Sequence, residues 1–370
     1  MSAVAAPARV QPPTLETIAS GIAANVGVAR ARTRARIMAV VKADGYGHGA
    51  VAVAHAAVAA GAAWLGTTSM TDALQLRRAG ITVPILTWLH ADGMDGSAAA
   101  AERIDVAVGS VEALEALLAH RARGLRVHLH LDTGMAREGC AEPAWAELLL
   151  RAQRAQAGGR LRVTGLMGHL AKADRAEPAA NAAAVQRMRR ARLELLEAGL
   201  GDPITHLAAT AAALSDPATH FDMVRFGAGL VGIDPSGTTA LHGASRLTAP
   251  IVHSALVAAD TPVGYGGSTV TRTATHLSVV PLGYADGIPR TLHAAASVEV
   301  RGLRCPIVGR VSMDQIVIDT GGERMPLGTL ATVFGPDDPA PSIHEWADWA
   351  GTIPHTVVTG IGPRVRRTTA

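Results

Sequence analysis

Between Arg36 and Gly232 short apolar runs alternate with helical stretches, and this alternation limits the folds open to the chain. The strand candidates are Ile37–Val41, Trp64–Thr68, Pro84–Trp88, Asp105–Val108, Val127–Leu131, Val163–Met167, Thr205–Ala208 and Met223–Phe226. Helical periodicity lies between them, as at Ala50–Ala60, Met70–Ala79, Val111–His120, Ala144–Ala155 and Ala180–Ala198. Eight strands alternating with helices over about 200 residues is the pattern of a (β/α)8 TIM-type barrel. A doubly wound open sheet is the rival, but it would place a G-x-G-x-x-G turn after its first strand. Here the first strand runs into Lys42 instead. The polar, glycine-containing span Ser236–Ala244 reads as a linker. Beyond it Thr248–Ala258, Thr275–Leu282, Ser297–Val300, Cys305–Val308, Gln315–Ile318 and Leu330–Phe334 read as strands, with one short helix near His344–Trp349. The expected organisation is a flexible extension over 1–13, a barrel over 14–240 and a mostly β domain over 241–370.

Composition narrows the function classes. The mean hydropathy is +0.21, yet no uncharged apolar run reaches the roughly 18–20 residues of a spanning helix. The opening MSAVAAPARVQPP lacks a basic segment followed by an apolar one, so no signal peptide is expected. Cys140 and Cys305 are the only cysteines, which suits a reducing cytoplasm and excludes a disulfide scaffold. The net charge is +3. No basic cluster is interleaved with aromatics, so neither nucleic acid nor membrane is an expected partner. Arg187–Arg192 and Arg364–Arg367 read as solvated faces.

Two scarcities are more telling. Of 34 basic residues only Lys42 and Lys172 are lysine. Arginine stays protonated and cannot serve as a nucleophilic or proton-shuttling amine, so a lysine kept at a strand end points to chemistry. The three tyrosines, Tyr46, Tyr265 and Tyr284, all sit in glycine-rich turns: DGYGHG, VGYGG and LGYADG. Functional residues of such barrels cluster at the carboxyl ends of the strands. Those ends carry VVKADGYGHG, LDTGMAREG with Asp132 and Arg137, GLMGHLAKAD with His169, HLAATAAAL with His206 and Thr210, and DMVRFGAGLVG with Arg225 and Gly227. Each has a plainer reading. Lys172 reads as an exposed loop residue, His169 and Arg225 could be satisfied structural groups, Tyr265 a turn residue and Met313 packing. His48, His130, His206 and His355 fit no familiar zinc spacing, so no metal is expected.

The ordered set VVKADGYGHG, DTGMAREG, FDMVRFG, GYADG and SMDQ resembles the alanine racemase family, from about Arg36 to Arg366. The resemblance implies a pyridoxal 5'-phosphate-dependent isomerase that interconverts L- and D-alanine with two bases. Lys42 is then the lysine bonded to the cofactor and one base. Tyr265, supplied by the second subunit of a homodimer, is the other. Arg225 faces the pyridine nitrogen and His169 the ring. Tyr46, Thr210 and the backbone at Gly227 and Ala228 hold the phosphate. Arg137 contacts the cofactor and the substrate carboxylate, and Tyr284, Met313 and Asp314 shape substrate access.

Three positions depart from the family pattern: His130 stands where a carbamylated lysine is usual, Ala209 where an asparagine is usual, and His355 where a tyrosine is usual. These departures keep open a racemase, epimerase or aldolase-type enzyme for a larger or more polar amino acid. A non-catalytic cofactor-binding homologue is a further alternative, opposed by the retention of both Lys42 and Tyr265.

Overall fold

In a computed structural model, residues 11–90, 93–174 and 178–370 are described. They form two compact units. One is Ser20–His242; the other joins the described residues up to Ala19 to Gly243–Ala370.

The Ser20–His242 unit is a closed barrel of eight parallel strands: β2 (Arg36–Val40), β3 (Trp64–Thr67), β4 (Ile85–Thr87), β5 (Ile104–Val108), β6 (Leu125–His130), β7 (Leu161–Met167), β8 (Ile204–His206) and β9 (Met223–Phe226), with β9 pairing back on β2. Successive side chains of a strand alternate between its faces. One parity faces inward and packs Met38, Val40, Trp64, Leu86, Trp88, Ala107, Met167 and Met223 together. Residues of the same parity continue the inward row: Asp105 beside Ala107, His128 and His130 on β6, His206 beyond Ile204, Arg225 beyond Met223. Lys42 begins the turn that follows β2, at the carboxyl end of that strand. The interior is packed to the point that a Cβ on Gly66 would lie 2.9 Å from both Met38 and Trp88.

The helices start where polar caps allow. Ser69 accepts from the Asp72 N–H, Asp95 from Ser97 and Ala98, and Ser110 from Ala113. The outer helices Ala50–Ala59, Met70–Arg78, Val111–Ala119, Glu142–Ala157 and Pro178–Glu197 extend or trim the expected ones by only a few residues.

The second unit is built on a nine-stranded sheet. Its strands are β1 (Thr14–Thr17), β10 (Ser245–Pro250), β11 (His253–Val257), β14 (Thr275–Val280), β15 (Ser297–Val300), β16 (Leu303–Val308), β17 (Ile316–Asp319), β18 (Leu330–Phe334) and β19 (Arg366–Thr369). They run in the order β11-β14-β17-β16-β15-β18-β10-β1-β19. A small ribbon pairs β12 (Pro262–Val263) with β13 (Thr269–Val270). Leu15, Leu247, Val298, Val333 and Trp346 lie in its core, and the Trp346 indole N–H donates to the Val333 carbonyl at 2.6 Å.

Several expectations change here. Residues from 14 onward were expected in the barrel, but β1 pairs antiparallel with β10 and parallel with β19, and Leu15 is buried in the β core. The unit boundaries therefore fall at Ala19/Ser20 and His242/Gly243 rather than at 14 and 240. The expected flexible extension over 1–13 lies mostly outside the described residues; Pro13 itself accepts from the Arg366 N–H at 2.9 Å. The single expected strand Thr248–Ala258 is two strands, because the chain leaves β18 at Pro250 and re-enters beside β14. The helix Pro354–Thr359 was not anticipated.

Candidate active site

The barrel unit gathers eight of the expected site residues at one mouth. Lys42 opens a turn in which Ala43, Asp44, Gly45 and Tyr46 all have φ between 51° and 63°. A left-handed run of non-glycine residues is strained, at roughly 1–2 kcal/mol per residue. It is held by Asp44 Oδ1, which accepts from the Ala50 N–H at 2.8 Å, and by Gly45, whose missing Cβ avoids Val53 at 2.9 Å. The turn leaves Lys42 half-buried and carries Tyr46 back into the unit. Burial, with the charges of Arg137 and Arg225, holds the Lys42 ammonium below its usual range, against an opposing effect of Glu138.

Arg225 is the fixed cation of the site. It is buried and makes five contacts. One terminal nitrogen bonds His206 Nδ1 at 2.8 Å and the His206 carbonyl at 3.2 Å. The other bonds the carbonyls of Gly168 at 2.7 Å and Leu207 at 3.0 Å, and His169 Nδ1 at 2.9 Å. Burial and the neighbouring Arg137 lower its pKa to about 10, which leaves it charged at neutral pH. A guanidinium has no acceptor, so His169 Nδ1 must accept and the His169 proton sits on Nε2. Burial and Arg225 push His169 down to about 3, so the ring is neutral. Thr133 clamps the His169 backbone, donating to its carbonyl at 2.5 Å and accepting its N–H at 3.3 Å.

The DTGMAREG loop is folded over Asp132, whose Oδ1 accepts from the N–H groups of Gly134, Met135 and Ala136. Gly139 closes it; a Cβ there would lie 2.6 Å from the Asp132 nitrogen. The loop presents Arg137, half-exposed and 3.5 Å from Glu138. His130, on the inward row below, is buried, and burial with Arg225 and Arg137 lowers it to about 4. Its Nε2 has no hydrogen-bond partner among the described residues.

A cradle for an anion lies beside these groups. The N–H groups of Gly227 and Gly229 converge on Thr210 Oγ1 at 3.1 and 3.2 Å. The Tyr46 hydroxyl reaches the same turn: it meets the Ala228 N–H, and a Cβ on Gly227 would lie 2.3 Å from it. Burial pushes the Tyr46 phenol up to about 12, so it stays a donor. The helix Thr210–Ser215 starts at Ala209 with no side-chain cap. Its first N–H groups therefore lack a side-chain acceptor.

The other four expected residues belong to the second unit, where Tyr284, Met313 and Asp314 lie together. Tyr265 lies in a turn where Gly264, Gly266 and Gly267 all take positive φ, and it is 69 % exposed. That turn packs on Gly309 and Arg310, which lead to Met313. The N–H groups of Tyr284 and Ala285 donate to the carbonyls of Ser312 and Met313 at 3.0 and 2.8 Å. Gly283 permits this, since a Cβ there would lie 2.4 Å from the Asp314 nitrogen. Tyr284 and Met313 are exposed, and Arg290 lies over the Tyr284 ring at 5.5 Å. His355 also lies in this unit, on the helix Pro354–Thr359. Sequence reasoning did not single out Asp105 or His128, both inside the barrel. The available signal was a carboxylate within the otherwise apolar run IDVAV, which when buried demands partners.

The chain matches two domain families. The alanine racemase N-terminal domain covers residues 19–235 and the alanine racemase C-terminal domain residues 244–369. It is 43% identical over 321 residues to an alanine racemase of Beutenbergia cavernae, spanning 84% of this chain and 85% of that one. The solved alanine racemase of Streptomyces coelicolor A3(2) superposes with a TM-score of 0.90 at 40% identity, over 97% of this chain and 98% of that one. A solved alanine racemase of Bartonella henselae, with covalently bound pyridoxal phosphate, superposes with a TM-score of 0.83 at 26% identity, over 97% and 100% of the two chains.

Proposed function

The chain belongs to the alanine racemase family, and on that premise we propose that it interconverts L- and D-alanine with pyridoxal 5'-phosphate, using Lys42 and Tyr265 as bases. The observation that carries this reading is the Lys42 amine at the barrel mouth, its pKa lowered by burial, Arg137 and Arg225.

The residues present fit the cofactor. The converging N–H groups at Gly227 and Gly229, the Tyr46 hydroxyl and the Ala228 N–H offer the donor set of a phosphate site. The Gly227 and Gly229 N–H groups now serve Thr210 Oγ1 and the Ala228 N–H the Tyr46 hydroxyl, and a phosphate oxygen is an acceptor of the same kind. Arg225 is the group for the pyridine nitrogen, and neutral His169 lies beside it. Bound pyridoxal phosphate supplies a conjugated ring that delocalises the electron pair left on Cα when its proton departs.

The chain must handle the proton. Racemisation removes it from one face of Cα and returns one to the other, so two bases are required, each drawn toward neutrality. Lys42 meets this condition within the barrel unit. Arg225 cannot give up a proton at neutral pH, so it disfavours a second positive charge on the group it faces. Arg137 offers a guanidinium to the substrate carboxylate. Tyr265 is exposed on its own unit, as suits a residue that completes the site of a second copy; we place it there, in a homodimer. Tyr284, Met313 and Asp314 then border substrate access.

Among the described residues no helix is long and apolar enough to cross a membrane; together with the two cysteines this supports a cytoplasmic enzyme. The test of the reading is Lys42→Ala. It removes the lysine-bonded cofactor absorbance and racemisation together, and a variant that still racemises alanine overturns the assignment.

A further inference from the structure

Four buried side chains form a continuous line through the barrel interior: Asp105 on β5, His128 on β6, His206 on β8 and Arg225 on β9. Asp105 Oδ2 lies 3.3 Å from His128 Nε2. His128 Nδ1 lies 2.9 Å from His206 Nε2. His206 Nδ1 lies 2.8 Å from an Arg225 terminal nitrogen. All four are at most 3 % exposed.

The proton positions follow from the two ends. The guanidinium only donates, so His206 Nδ1 accepts and its proton is on Nε2. That proton is given to His128 Nδ1, which leaves the His128 proton on Nε2, facing the carboxylate. Each ring N–H then faces an acceptor: the His206–His128 and Arg225–His206 links are hydrogen bonds, and the Asp105–His128 approach, at 3.3 Å, is a close charge–dipole contact without hydrogen-bond geometry. Burial and the Arg225 charge lower His206 far below its ordinary range, in keeping with a neutral ring. Burial alone would raise Asp105, but His128 and Arg126 outweigh it and hold the carboxylate ionised. Arg126 Nε donates to Oδ1 at 2.7 Å and Thr164 Oγ1 to Oδ2 at 2.8 Å. The backbone makes room for the line: a Cβ on Gly165 would lie 2.1 Å from His128 Nδ1, and the β6–β7 register shifts between Val127 and His128.

We infer that Asp105 is a positioning residue that acts through His128 and His206 to hold Arg225 in its catalytic orientation. A simple Asp105–Arg126 pair would tie β5 to β6 without needing either imidazole. The two rings carry the carboxylate's preference across to β9, where the wrong His206 tautomer would aim an N–H at the guanidinium. This role rests on the proposed function only in what Arg225 serves; the proton arrangement is a property of the protein without cofactor.

The test is nitrogen NMR of histidine-labelled apoprotein, wild type and Asp105→Asn. The expected wild-type spectrum shows His128 and His206 each as a single Nε2–H tautomer. Asp105→Asn should keep both tautomers, since Arg225 still demands them, but remove the charge facing His128, and so shift the His128 Nε2 resonance, weaken pyridoxal phosphate binding and lower kcat by about 10- to 100-fold with KM little changed, the range for losing a group that orients a functional residue. Should Asp105→Asn fail to fold, His128→Phe cuts the line at the next residue and is read on the His206 Nε2 resonance and on kcat, both of which should change. A wild-type His206 protonated on Nδ1, or an Asp105→Asn protein with the wild-type His128 nitrogen resonances and the wild-type kcat, overturns the inference. A wild-type protein with the expected tautomers that does not racemise alanine overturns the proposed function and leaves the line standing.

Discussion

Arg225 donates to His169 Nδ1 across 2.9 Å, and that single contact fixes the remaining imidazole proton on Nε2, away from the guanidinium. The same arginine serves four further acceptors on three carbonyls and His206. A lysine offers three donors from one point and cannot reach five. The His206 carbonyl also accepts from the Gly168 N–H, so Arg225→Lys should leave at least one buried acceptor unpaired, at about 1–3 kcal/mol. Denaturant unfolding of the apoprotein checks this, and a variant as stable as wild type would show that the five contacts are not all formed in solution.

Acid should weaken the barrel before its carboxylates titrate. His130 and His169 are held neutral, at about 4 and about 3, whereas unfolded histidine protonates near 6.5. Below 6.5 the unfolded chain binds protons that the folded chain refuses, so stability is full above that pH and falls as pH drops toward 4. His130 alone accounts for up to about 3 kcal/mol across that window. Thermal unfolding at pH 7.5, 6 and 5 should show the decline, and His130→Asn should reduce its slope. A flat profile between pH 7 and 5 contradicts the burial of these rings.

Gly227→Ala should damage cofactor binding without unfolding the barrel. Its Cβ would lie 2.3 Å from the Tyr46 hydroxyl and 3.1 Å from the ring carbon bearing it. Tyr46 must move, and the phosphate donors separate. The expected loss in pyridoxal phosphate affinity is about tenfold or more, equivalent to about 1.4 kcal/mol. Adding Tyr46→Phe should recover none of the lost hydroxyl contact while easing the clash, so unfolding temperature rises and affinity does not. Absorbance titration with the cofactor separates the two effects.

The second unit has its own test at Gly283. A Cβ there would lie 2.4 Å from the Asp314 nitrogen and the Met313 carbonyl, and backbone does not step aside cheaply. Gly283→Ala should cost about 1–3 kcal/mol of that unit's stability. It should also raise the KM for alanine while leaving cofactor absorbance at Lys42 intact. An unchanged KM would remove Tyr284, Met313 and Asp314 from substrate access.

The barrel was legible because short, largely buried segments rich in apolar residues alternate with helical stretches, and Lys42 because lysine is scarce and falls at a strand end. Thr14–Thr17 was not legible. It contributes one buried apolar side chain, Leu15, and its strand character comes from partners more than 200 residues away. Arg366–Thr369 is wholly polar and pairs only at the sheet edge. Pro250 does not stop a strand by itself, so the break between β10 and β11 depends on which neighbours each finds. At the site, residues carried by glycine-rich motifs stood out. Asp105 and His128 did not, since their meaning lies in contacts across the barrel that no local pattern encodes.

The most direct measurement follows Cα hydrogen–deuterium exchange and chirality together. Alanine of each hand, alongside a panel of larger and more polar amino acids, is incubated in heavy water with wild-type, Lys42→Ala and Tyr265→Phe proteins. Two opposed bases predict that wild type exchanges alanine fastest and inverts it. Lys42→Ala should do neither, and Tyr265→Phe should exchange one hand with almost no inversion. Racemisation by Tyr265→Phe at the wild-type rate would contradict the two-base account, and an inert alanine beside another exchanging amino acid would contradict the assigned substrate.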